Sequence, residues 1–68
     1  MSRSDLTIMR LIDAGCPEPI TVHLFLRRVV TPYGILDLRD IEERDDDDLV
    51  DLVAGMRLIA LVRYIGAT

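Results

Sequence analysis

Three features of this 68-residue chain have residue types that chemistry uses: Cys16, His23 and the run Asp45, Asp46, Asp47, Asp48. Cys16 lies where the pattern predicts a helix start, and a helix N-terminus lowers a thiol pKa and raises its nucleophilicity. No base, resolving cysteine or glycine-rich pocket accompanies it, so the plainer reading is a small residue near a cap. His23 is the only histidine and stands seven residues from the only cysteine, across Pro17 and Pro19. That spacing supplies no zinc-type ligand set. On a helix His23 falls at the edge of the apolar face, as a half-buried spacer and not a base. Gly15, Gly34, Gly55 and Gly66 are far apart and the chain has no lysine, so the phosphate-cradling Gly-Lys loop is missing. The expectation is a non-enzymatic protein with no catalytic residues, no cofactor and no metal.

The acidic stretch is the most conspicuous feature. Asp37, Asp40, Glu42, Glu43, Asp45, Asp46, Asp47, Asp48 and Asp51 stand against only Arg39 and Arg44. A calcium loop needs ligands at alternate positions, a central glycine and a glutamate at the twelfth position, and four consecutive acids do not provide this. Two uses remain open. The acids form a docking surface for a partner with a basic surface, up to mimicry of nucleic-acid phosphates. Alternatively they are a solvated helix start that offsets an otherwise apolar composition. A helix-turn-helix DNA reader is a weaker reading: Arg27, Arg28 and Arg39 would meet phosphates, but the third predicted helix would present Asp37, Asp40, Glu42 and Glu43 to DNA.

Composition sets the frame for these residues. Half of the chain is hydrophobic and the formal charge is −4, with nine of the twelve acids after residue 34. So short a chain is one domain, 1–68, and marginal alone, which fits burial of apolar surface against a second chain. A single cysteine excludes an intrachain disulfide framework. The N-terminus leads straight into a helical pattern without a signal-peptide core. Asp51, Arg57 and Arg63 interrupt the last apolar segment, short of the about 20 uncharged positions a membrane span needs. A cytoplasmic protein with no membrane contact is the expectation.

The spacing of apolar residues predicts an all-α domain of three or four helices. The first covers 5–14, capped by Ser4, with Arg10 and Asp13 paired across one turn and Gly15 as the stop. The second covers 17–30, with Val22, Phe25, Leu26 and Val29 inward. The third covers 32–43, with Ile35, Leu38 and Ile41 on one side and an Arg39–Glu43 pair. A rival α+β reading takes Ile20 to Leu26 as a strand and Thr31-Pro32-Tyr33-Gly34 as a turn, giving a hairpin around 20–38. The last helix covers 48–65, with one aspartate of the run as its N-cap, the next ones in its first turn, and Gly66 as its stop.

That last helix is apolar in almost every direction, unlike a surface helix with one apolar stripe. It is expected to self-associate, as a homodimer, through Leu49, Leu52, Val53, Met56, Arg57, Ile59, Ala60, Arg63 and Tyr64. Arg57, set among apolar neighbours, calls for a carboxylate from another helix or subunit. Three functions follow. The first is a protein-interaction module, a small acidic regulator or inhibitor docking through residues 37–51. The alternative is a structural or adaptor subunit that binds through the apolar helix. The last is a DNA-binding regulator, which the charge opposes.

Overall fold

The computed structural model describes residues 1–66. The elements run α1 (Arg3–Asp13), β1 (Thr21–His23), β2 (Arg28–Thr31), β3 (Gly34–Asp37), α2 (Leu38–Glu43) and α3 (Asp46–Gly66). The all-α expectation is therefore wrong. Three helices accompany a three-stranded antiparallel sheet of order β1-β2-β3, so the fold is α+β, as the rival hairpin reading had it.

α1 begins at Ser2 and not at Ser4: the Ser2 hydroxyl accepts from the Asp5 amide at 3.1 Å. Its end follows the expected signal. The Gly15 amide donates to the Ile12 carbonyl at 3.0 Å and the Cys16 amide to the Leu11 carbonyl at 2.9 Å. This closing motif needs a left-handed residue at the first position beyond the cap, and Gly15 has φ +102°.

The expected second helix is β1, a loop and β2. β-branched Thr21, Val22, Val29, Val30 and Thr31 suit strands, and the register pairs Val22 with Val29 and Val29 with Leu36. These three form the inward row, with Val29 fully buried. Leu24-Phe25-Leu26-Arg27 form the connecting loop. Arg27 closes it at φ +54°, and its carbonyl accepts from the Leu38 amide at 3.1 Å, tying the loop to α2. Phe25, expected in the core, is 97% exposed at this tip. The second turn is that of the rival reading, in place of the expected start of a helix at Pro32: Thr31 pairs with Gly34 across Pro32-Tyr33, and the Thr31 hydroxyl accepts from the Tyr33 amide at 3.1 Å while donating to the Gly34 carbonyl at 2.8 Å. The third expected helix is shortened to α2, which Asp37 caps by accepting from the Arg39 amide at 2.9 Å.

The core lies between the inner face of the sheet and the helices, and comprises Leu11, Cys16, Ile20, Val29, Leu38, Ile41, Leu49 and Val53. One arginine joins its parts. Arg10 does not pair with Asp13. It reaches across to the α2–α3 junction, donating to the Ile41 carbonyl (3.1 Å), the Arg44 carbonyl (2.6 Å) and the Asp46 carboxylate (3.2 Å). A cation is favoured at the negative end of a helix, where the Ile41 carbonyl also accepts from the Arg44 amide at 3.3 Å, and the carboxylate it meets belongs to the first turn of α3.

Arg10→Met keeps the aliphatic stem and removes these bonds. We expect it to lower stability by about 2 kcal/mol in urea denaturation, in the range for hydrogen bonds to a charged group. Arg39→Met, which loses only an exposed pair on one helix, is expected to change stability by less than about 0.5 kcal/mol. Equal shifts would contradict the junction role of Arg10.

Candidate association surface

Most of the acidic segment is engaged within the chain. Glu42 accepts two bonds from Arg3, at 2.6 and 2.5 Å. Glu43 pairs with Arg39 at 3.0 Å, as the spacing implied, and Asp40 with Arg44 at 3.1 Å. Asp37 caps α2. Asp45 caps α3 by accepting from the Asp48 amide at 2.8 Å, and Asp46, Asp47 and Asp48 lie in the first turn, where the helix end favours negative charge. Of the nine acids of this segment, Asp47, Asp48 and Asp51 have carboxylates that neither pair with a cation nor cap a helix among the described residues. No three His, Cys, Asp or Glu side chains of the described residues gather as a metal-binding group.

Cys16 is placed beyond the end of α1 and not at a helix start. It is a free cysteine, 4% exposed. Burial pushes its thiol pKa up, with the Thr31 hydroxyl acting weakly the other way, the reverse of what a nucleophile needs. His23 is exposed and not half-buried, opposite Arg28 on the outer face of the sheet.

The other unusual surface is on α3. Its first half is docked: Leu49 and Val53 are 0% and 3% exposed and belong to the chain's own core. These two residues, expected at a self-association surface, face inward instead. Leu52, Met56 and Ala60 are half-buried, and Ile59, Tyr64, Arg57 and Arg63 are exposed. Neither Arg57 nor Arg63 forms an ion pair among the described residues. Beyond Arg57 the helix is apolar and open, with Leu58 63%, Ile59 55%, Leu61 53%, Val62 60%, Tyr64 74% and Ile65 63% exposed.

A groove of about 280 Å³ runs beside this segment, walled by Ala14 and Gly15 at the end of α1 and by Val50, Val53, Ala54, Arg57, Leu58 and Leu61 along α3. The expected surface did not include this stripe. Val50, Ala54, Leu58, Leu61 and Ile65 follow one another at intervals of four, four, three and four residues, which keeps them on one side of a helix. They lie about 120° around the helix from Leu49 and Val53 at 3.6 residues per turn. The spacing was available in the sequence; which of two apolar stripes the core would take was not.

The whole molecule shows the same imbalance. It measures 41 × 25 × 17 Å with a radius of gyration of 12.0 Å, against roughly 11 Å for a compact chain of this length. Among the described residues no helix is long and apolar enough to cross a membrane. Compared with known proteins, the chain matches no family model, no curated protein and no solved structure.

Glu42 gives the acidic segment a pH dependence. The hydrogen bonds from Arg3 hold its carboxyl below the ordinary glutamate range, against a smaller opposing effect of burial. A depressed folded pKa adds stability above the unfolded value, about 4.3, that is lost as pH falls through the folded value. Glu42→Gln is therefore expected to be less stable than the native chain at pH 7, with the gap closing as pH drops below about 4. Urea titrations at several pH values test this; a constant gap would show that the Arg3 pair does not set it.

Proposed function

We propose that this chain is a non-enzymatic structural or adaptor subunit that associates through the second half of α3. The observation that carries the reading is the run of large apolar side chains from Leu58 to Ile65, each more than half exposed. Contiguous apolar surface of this kind marks an interaction site. A second helix laid along it would bury the apolar face without leaving backbone groups unpaired, the mode used by helix-in-groove complexes. Homodimerisation in the cytoplasm belongs to this reading, and the single free cysteine is compatible with a reducing compartment.

The acids have a supporting part in it. Six of the nine hold helix ends or cross-links in place, and the net charge of −4 opposes indiscriminate association of an apolar molecule. Docking of a basic partner through residues 37–51 would have to act through Asp47, Asp48 and Asp51, or displace the internal pairs.

The double variant Leu58→Glu with Leu61→Glu tests the assignment. In dilute solution, where chains are separate, its urea stability is expected to stay within about 0.5 kcal/mol of the native chain, as for surface substitutions. Association of the native chain, followed by sedimentation, is expected to be lost in the variant. A loss of several kcal/mol in the dilute chain would place these leucines in a core, and undiminished association would move the interface elsewhere. Either result overturns the proposal.

A further inference from the structure

We infer that the occupant of the α3 surface is a second copy of this chain, laid antiparallel, with the two-fold axis passing beside Leu58. This rests on the association reading above and adds the register in which the two copies meet. The stripe is self-complementary. Val50 and Ile65, and likewise Ala54 and Leu61, are placed symmetrically about a point between Arg57 and Leu58. An antiparallel copy therefore sets Val50 against Ile65, small Ala54 against large Leu61, and Leu58 against itself at the axis. Small opposite large is the arrangement that lets two helices interdigitate, and self-matching is what a two-fold interface requires.

The groove wall fits the same arrangement. In this register Tyr64 of the second copy comes level with Val50 and Asp51, on the side where Ala14 and Gly15 stand without bulk. Tyr64, 74% exposed, has a ring of the size to cover them. A parallel pair would instead bring the acidic first turns of both helices together, with Asp47 facing Asp47.

Area and charge agree in magnitude. The chain exposes 4919 Å², roughly 600 Å² more than a globular monomer of its mass. Twice that excess, roughly 1,200 Å², is the lower bound of stable interfaces. The antiparallel register places Arg57 near its own copy. At about 8 Å in water such a pair weakens association only two- to threefold and is screened by salt. The two arginines thus mark the register without preventing it.

Cysteine cross-linking in a Cys16→Ala background tests the inference. Under a glutathione redox buffer, Leu58→Cys is expected to link to itself. Val50→Cys is expected to link to Ile65→Cys in a mixture at least fivefold more than either links to itself. A mixture of the native chain with Arg57→Glu is expected to form mixed dimers beyond the statistical half. Self-linking of Val50→Cys would overturn the antiparallel register while leaving a dimer. A native chain that sediments as a monomer up to millimolar concentration would overturn the second copy as occupant.

Discussion

α3 is longer than the body it packs on, and the rest of the molecule follows from that mismatch. Twenty-one residues of helix extend about 31 Å at 1.5 Å per residue, while full burial reaches only from Leu49 to Val53. Past that point the side chains remain apolar but the core has ended. A stretch of about ten residues is below the length at which a helix is stable alone in water. In the association proposed above, the order of the second half would be coupled to whatever covers it.

The direction in which this helix leaves the body is set at its start. Arg10 binds the last carbonyls of α2 and the first-turn Asp46 of α3 together, and Asp45 supplies the cap. The Arg3–Glu42 pair fastens α1 to α2 in the same way. Six of the nine acids in the segment expected to dock a partner also fasten helices within the chain. Chemistry is correspondingly sparse: the one thiol is buried with a raised pKa, and the one histidine lies on the solvent face of the sheet.

Some of this was legible from the residues alone. Gly15 as a left-handed stop, the Arg39–Glu43 pair and an aspartate cap on a long last helix all depend on local backbone chemistry, which neighbouring residues reveal, and so does the Thr31-Pro32-Tyr33-Gly34 turn, which only the rival reading took. The middle of the chain misled because its hairpin loop is apolar. Loops are expected to be polar, so Phe25 and Leu26 read as part of the inner face of a helix, with Leu24 beside it. Phe25 lies in the loop between β1 and β2. Long-range geometry was hidden for a different reason. Nothing near Arg10 in sequence shows that its partners lie more than thirty residues away, and two apolar stripes on α3 compete for one core.

Hydrogen exchange along α3 at two protein concentrations is the most direct measurement of this division. The amides of residues 49–55 should exchange at rates set by the stability of the body, showing little response to concentration. Those of residues 58–66 should exchange rapidly in dilute solution and become protected as concentration rises. Equal, concentration-independent protection over both halves would contradict the account, because it would mean that the helix needs no cover beyond its own chain.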